Sequence, residues 1–286
     1  MSARLKIAIQ KSGRLSEDSN QLLRECGINV QNGRGTLMAP ASNFPLDVLY
    51  LRDDDIPQYV EDGTADLGIL GENVVGESAR AIDIVKKLGF AKCRLSLAIP
   101  KHEEYEGPSF FQDKKIATSY PHLLQQFLTG KGVEADIHQI SGSVEIAPAI
   151  GLADGICDLV SSGSTLFSNG LKEVEVILRS EAVIVANADL PEGKKAILDR
   201  LIFRINAVQK AGNNKYIVLN VPNHRIDEVK RILPGMRSPT VVPLATEGWS
   251  AMHSVVSEDR FWEVIDELRA AGAEGILVVP IEKMIL

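Results

Sequence analysis

The sequence predicts an α/β fold: two lobes enclosing a cleft, followed by a separate β-α-β-β-α-β domain. Three observations carry that prediction. Short apolar runs alternate with amphipathic helical stretches from residue 5 to about residue 170, the pattern of a largely parallel sheet covered on both faces. "EVEVILRSEAVIVAN", residues 173–187, is too long for one ordinary strand and reads as a crossover that returns the chain to the first lobe. After Gly212-Asn213-Asn214 the pattern becomes strand, helix, strand, strand, helix, strand, a ferredoxin-like order. The expected boundaries are 1–95 plus 183–211 for lobe I, 96–182 for lobe II and 212–286 for the last domain.

Each element follows from local signals. "LKIAIQ" (5–10) is a strand; "LSEDSNQLLREC" is an amphipathic helix stopped by Gly27. "DVLYL" (47–51) is a strand, and Asp53 is expected to cap the helix "DDIPQYVEDG", where Pro57 fits only an early turn. "ADLGIL" (65–70) and "RLSLAIP" (94–100) are buried strands. In lobe II, "KIATS" is a strand and "PHLLQQFLTG" a helix with proline at its first position. "ADIHQI" is a strand, "SVEIAPAIGLADG" a helix and "CDLVSS" a strand. "PEGKKAILDRLIFRINAVQKAG" is a long helix leading to the last domain. There "KYIVLNV", "PTVVPLA", "AMHSVVS" and "EGILVVPI" are strands, and "HRIDEVKRIL" and "EDRFWEVIDELRAAG" are helices.

The totals narrow the function. The net charge is -7, so the chain as a whole attracts neither nucleic acid nor an anionic membrane, and any anionic ligand must be held by local groups. Cys26, Cys93 and Cys157 form no CxxC pair or metal cluster and suit a reduced, cytoplasmic setting. No run reaches the roughly 18 apolar residues of a membrane span, and the N-terminus, interrupted by Lys11 and Arg14, lacks a signal-peptide core. His102, His122 and His138 lie in polar stretches or at a helix start and are given no catalytic role.

The strand "DLV" runs directly into Ser161-Ser162-Gly163-Ser164-Thr165. Successive main-chain N–H groups in such a loop can converge on phosphate oxygens, Gly163 can take positive φ, and small hydroxyls add donors without bulk. A turn with a Ser/Thr helix cap is the plainer alternative for those residues taken alone. Neither a Walker loop nor a GxGxxG fingerprint is present. Nearby carboxylates favour a phosphorylated sugar: Asp154 and Asp158 lie just upstream, and Glu145 on the preceding segment, where they could accept from ribose hydroxyls or hold Mg2+ through water.

"LADGICDLVSSGSTLFSNGLKEVEVI" resembles the phosphoribosyl-pyrophosphate loop of the ATP phosphoribosyltransferase family, the first enzymes of histidine biosynthesis. "QKSGRLSEDS", "RDDDIPQYVEDGTADLGILGEN", "CRLSLAIP", "IATSYPHLL" and "GSVEIAP" resemble the same family in collinear order, and "MRSPTVVPL" and "PIEKM" resemble its long form.

The resemblance implies a fold like the type II periplasmic binding proteins with an added ACT-type domain. It implies that adenine N1 of ATP attacks C1 of phosphoribosyl pyrophosphate, that Mg2+ is required, and that pyrophosphate leaves. It also implies feedback inhibition by histidine and assembly into dimers and hexamers; it assigns no particular ligands to the metal. Carried onto this chain, Ser161, Ser162, Gly163, Ser164 and Thr165 would bind the 5-phosphate, Asp154 first and then Asp158 the ribose hydroxyls, and Glu145 the ribose or metal. Lys11, Arg14 and Arg52, after the first two strands, would meet polyphosphate; Gly71, Glu72, Cys93, Arg94 and Ser96 would complete the ATP site, which an AMP-like inhibitor would share. Histidine would be held by Asn220, Ser238, Pro239, Thr240 and Ala273. Some members have an acid where this chain has Asn220, which puts the strength of that inhibition in doubt. The rival readings are a solute-binding protein and a stand-alone amino-acid sensor, neither of which would release pyrophosphate.

Overall fold

The computed structural model describes residues 3–31 and 36–285. The chain divides into two compact units, Met1–Leu198 and Asp199–Leu286. In chain order the first unit contains β1 (Leu5–Gln10), α1 (Arg14–Glu25), β2 (Met38–Pro40), β3 (Leu46–Leu51), α2 (Ile56–Glu61), β4 (Leu67–Gly71), α3 (Glu72–Ser78) and β5 (Ile82–Lys87). It continues with β6 (Cys93–Pro100), β7 (Lys115–Thr118), α4 (Pro121–Lys131), β8 (Asp136–Gln139), β9 (Gly155–Val160), α5 (Ser164–Ser168), β10 (Leu171–Ser180) and β11 (Ala182–Asn187). Helix α6 (Glu192–Gly212) runs across the boundary between the units.

These strands form two sheets, in the order β2-β3-β1-β4-β11-β5 and β10-β6-β9-β7-β8. In the first, β1 lies between β3 and β4 and is parallel to both. Leu5, Ile7, Ala8 and Ile9 are fully buried, as a central strand covered on both faces requires. In the second, β9 is parallel to β7 and antiparallel to β6. The long apolar segment is two strands: β10 lies in one sheet, β11 in the other, and only Glu181 separates them. Residues 88–92, between β5 and β6, form the other crossing.

Local chemistry explains the ends of the elements. Helix α1 stops in a Schellman arrangement. Gly27, at φ 68°, donates to Arg24 O, and Ile28 N–H reaches Leu23 O. Two expectations are corrected. Residues 143–155 do not form an α-helix but a 3-10 turn at Val144–Ile146 followed by further turns. Pro148 has no N–H to give the Val144 carbonyl, which accepts from Ala147 instead. Asp53 does not cap a helix; Asp53–Asp55 is a 3-10 turn without side-chain capping, and α2 begins at Ile56. Strands β2 and β5 have no counterpart in the sequence reading; four of the six β5 residues are exposed, so its apolar signal is weak.

The second unit adds β12 (Asn214–Pro222), α7 (Ile226–Ile232), β13 (Thr240–Pro243), β14 (Trp249–Ser257), α8 (Glu258–Ala270) and β15 (Glu274–Pro280). The sheet order is β13-β14-β12-β15, and all neighbouring strands are antiparallel. Ile217, Leu219 and Val221 of β12 pack with Val229, Phe261, Val264 and Leu268 of the helices. Ser257 caps α8 by accepting from Arg260 N–H at 3.4 Å. Among the described residues no helix is long and apolar enough to cross a membrane.

Candidate functional site

The loop after β9 is built as bare main chain. Gly163 sits in the left-handed region, at φ 81° and ψ 0°, where a side chain would be strained. It turns the chain into α5, which begins at Ser164, inside the loop, and is five residues long. Ser162 Oγ lies 3.0 Å from Ser164 Oγ. The N–H groups of Ser162, Gly163 and Thr165 donate to no protein acceptor among the described residues. Buried main-chain donors are normally satisfied; on this exposed loop they are available to an anion.

Two carboxylates share the loop's cavity of about 250 Å³, whose walls include Glu145, Asp158, Ser161, Ser162, Gly163 and Thr165. Burial raises the Asp158 carboxyl above its ordinary range, and the facing Glu145 charge raises it further, although Leu159 N–H donates to Asp158 Oδ1 at 2.7 Å. A ligand that brings hydroxyl donors or a cation would relieve both carboxylates. Asp154 is not brought to this cavity. It precedes β9 while the loop follows it, and six strand residues span roughly 20 Å. Its Oδ2 instead accepts from Lys115 N–H at 2.8 Å, fastening β9 to β7.

Arg94 holds the loop from the neighbouring strand. Its Nη1 donates to the Ser161 carbonyl at 2.9 Å, while Nε and Nη2 grip both oxygens of Glu173 at 2.5 and 2.6 Å. Ser96, buried and opposite Asp158 in the strand register, donates to Glu173 Oε1 at 2.8 Å. Arg94 and Ser96, expected at the ATP site, are instead tied to Glu173, and Arg94 also to the carbonyl at the start of the loop 161–165. Glu173 carries no local signal, because β10 reads as a plain crossover.

Other expected residues gather at the C-terminal edge of the first sheet. Gln10 and Leu51 are partners in parallel strands, so Lys11 and Arg52 leave neighbouring strand ends side by side, where doubly wound sheets open their ligand crevice. Both are exposed, as is Arg14, whose Nε is 4.0 Å from Asp18. Glu72 is tied to Lys87 at 2.9 Å. At Gly71 a Cβ would stand 2.3 Å from Asn73 Oδ1, so the missing side chain makes room for Asn73. Cys93 begins β6 beside Ser180; burial pushes its thiol up, away from a reactive thiolate.

A second cavity, of about 420 Å³, has walls from both sheets' elements: Asp54, Val74 and Glu77 on one side, and Ser119, Tyr120 and the segment 139–142 on the other. Beside it lies Asp53, whose Oδ1 is buried and unpartnered. Burial, with help from Asp54, pushes its carboxyl up to about 6. The folded value lies above the unfolded one, so ionised Asp53 costs stability above pH 6, and the cost fades as pH falls through 6 towards 4. Asp53→Asn is therefore expected to raise the melting temperature at pH 8, by about 1–2 kcal/mol of stability after allowing for partial exposure. The gain should vanish near pH 4 in thermal unfolding; destabilisation at pH 8 would contradict this account.

In the second unit, Asn220 lies on β12, opposite Glu274 and beside the buried Ala273. Ser238, Pro239 and Thr240 lead into the edge strand β13, separated from β12 by β14. Two strand spacings are roughly 10 Å, so one copy of the chain does not bring these two groups together.

The family profile described as "ATP phosphoribosyltransferase" matches residues 52–207, and the one described as "HisG, C-terminal domain" matches residues 211–283. The ATP phosphoribosyltransferase of Cytophaga hutchinsonii is 60% identical over 285 residues, covering 100% of each chain. A solved chain of the ATP phosphoribosyl transferase (HisG:HisZ) complex from Thermotoga maritima is 29% identical with a TM-score of 0.61, over 71% of this chain and 98% of that one. The fold alone is shared with Tv2483 bound to L-arginine, at 12% identity and a TM-score of 0.50, over 72% of this chain and 84% of that one.

Proposed function

Because the chain belongs to the ATP phosphoribosyltransferase family, we propose that it transfers the 5-phosphoribosyl group of phosphoribosyl pyrophosphate to N1 of ATP, the first step of histidine biosynthesis. The observation that carries this reading is the loop 161–165: free main-chain donors, held from below by Arg94, beside a cavity with two carboxylates.

The chemistry asks little of acid–base groups. Adenine N1 already carries a lone pair; the N1–C1 bond forms as the bond from C1 to pyrophosphate breaks, and positive charge develops on the ribose. Catalysis then rests on positioning and on charge stabilisation. The loop would hold the 5-phosphate, and Asp158 with Glu145 would accept from the ribose hydroxyls and face the developing positive charge. Lys11, Arg14 and Arg52 would meet the polyphosphates.

Mg2+ fits the same place. Among the described residues no three acidic, His or Cys side chains form a metal cage. Two facing carboxylates beside a diphosphate still match the preference of Mg2+ for one or two carboxylates plus substrate phosphates. When bound, it would neutralise charge on the departing pyrophosphate.

We read residues 1–211 as a type II periplasmic-binding-protein-like core of two lobes, 1–95 plus 183–211 and 96–182, and residues 212–286 as a ferredoxin-like, ACT-type domain; the β-α-β-β-α-β order supports the latter. Histidine would bind between copies, where Ser238–Thr240 of one meet Asn220 and Ala273 of another, in a dimer or hexamer. Three free cysteines suit a cytoplasmic enzyme.

The test is pyrophosphate release from ATP plus phosphoribosyl pyrophosphate with Mg2+, repeated with histidine. No release refutes the transfer reaction. Full activity at saturating histidine, with no heat of binding, refutes the regulatory site alone.

A further inference from the structure

We infer that Glu77 is a positioning residue, which locks the two sheets' helices together so that the first lobe's nucleotide faces the phosphate loop of the second. This rests on the transfer reaction proposed above.

The contact is specific. Glu77 lies on α3, which follows β4 of the first sheet; α4 follows β7 of the second. Glu77 Oε1 accepts from His122 N–H at 2.9 Å and Oε2 from Leu123 N–H at 3.0 Å. Those amides belong to the first turn of α4, whose N–H groups have no partner within the helix. Tyr120 N–H goes to Thr118 Oγ1 at 2.9 Å, and Pro121 has no N–H to place. Every donor at the start of α4 is thereby accounted for, and the two that matter are satisfied by a carboxylate from the other lobe. A negative charge also suits that helix end.

Neighbouring residues reinforce the same junction. Asn73, buried at the start of α3, accepts from Ser180 Oγ at 2.8 Å and donates from Nδ2 to Tyr120 Oη at 3.1 Å. At Gly76 a Cβ would come within 2.9 Å of Leu123 Cδ2, so a glycine there lets α3 approach α4 closely. Glu77 and Tyr120 also form opposite walls of the larger cavity. Only a single residue and a five-residue link otherwise join the sheets, so their relative placement depends on side-chain contacts of this kind.

Reaction between groups carried on two bodies is sensitive to displacement; about 1 Å of misplacement can cost 10²-fold in rate. Removing the lock should act on kcat more than on donor affinity, because the loop that grips the donor lies wholly in one lobe. The experiment compares parent, Glu77→Ala and Glu77→Gln in the pyrophosphate-release assay, with KM for each substrate and thermal unfolding. The expected result is a kcat fall of roughly 10- to 100-fold for Glu77→Ala. The donor KM should stay within about threefold of the parent's, and Glu77→Gln, which keeps one acceptor of the same length, should lie between. A lowered melting temperature with unchanged kcat would reduce Glu77 to a structural cap and overturn the inference. So would a rise in donor KM at constant kcat. If Glu77→Ala fails to fold, Glu77→Gln decides by the same criteria. An inactive parent would refute the transfer reaction itself, whereas an active parent matched by both variants refutes only the lock.

Discussion

Asp158→Asn is expected to lower kcat/KM for phosphoribosyl pyrophosphate by about 10²–10³, roughly 3–4 kcal/mol of transition-state stabilisation. Asn keeps the shape and the acceptor for Leu159 N–H, 2.7 Å away, but loses the charge proposed to face the ribose. Stability should move the other way. Burial and Glu145 both hold the Asp158 pKa above its unfolded value. Ionised Asp158 therefore disfavours the fold above the folded pKa, and that penalty disappears as pH falls through it. At pH 8 the variant should be as stable as the parent or more so, while nearly inactive. The acid limb of the parent's rate profile should also begin above the ordinary aspartate range, and shift or vanish in Asp158→Asn. Asp154→Asn is the matched control: its carboxylate bonds Lys115 N–H at the far end of β9, so kcat/KM should stay near the parent value. A variant at 158 that retains activity, or one at 154 that loses it, would reverse the roles assigned to the two acids.

Those two acids show what could be read from the sequence. Asp158 opens "DLVSSGST" and Asp154 stands four residues before it; the family resemblance puts Asp154 first for the ribose, because Asp158 could simply start the strand. Strand geometry separates them, because Asp154 precedes the extended β9 while Asp158 lies within it, two residues from the end that meets the loop. The loop itself was legible, since five small residues after an apolar run leave few other structures. The alternation of strands and helices was legible too, because buried β1 and β6 carry continuous apolar runs. What escaped depends on partners distant in sequence. Arg94 looked like a cation for ATP until register placed it beside Val160 and within reach of the Ser161 carbonyl. Glu173 and Glu77 carry no local signature, because their work is done on residues 79 and 45 positions away. Asp53 before a helix has the pattern of a cap, and only burial shows its oxygen unpartnered.

Arg94→Ala is expected to raise KM for phosphoribosyl pyrophosphate by about 10- to 100-fold and to cost about 1–3 kcal/mol of stability, less than a fully buried pair because both side chains are about a quarter exposed. The loss has two parts. One is the bidentate pair with Glu173, whose carboxyl is held below its usual range first by Arg94 and then by Ser96. A depressed carboxyl contributes stability above its unfolded pKa and loses it as pH falls through the folded value. The titrating part of the stability gap between parent and variant should therefore be full at pH 7 and shrink as pH falls through the lowered Glu173 value. The other part is the 2.9 Å bond to the Ser161 carbonyl, which fixes the start of the loop 161–165 and does not titrate. A double substitution, Arg94→Ala with Glu173→Gln, separates them. It removes the uncompensated carboxylate and should recover most of the stability, yet the loop still lacks its anchor, so the KM defect should persist. Arg94→Lys keeps the charge but cannot grip two carboxylate oxygens and a carbonyl at once, so it should restore part of the stability and little of the affinity. If the double variant regained both, the arginine would serve only to neutralise Glu173, and the loop would need some other support.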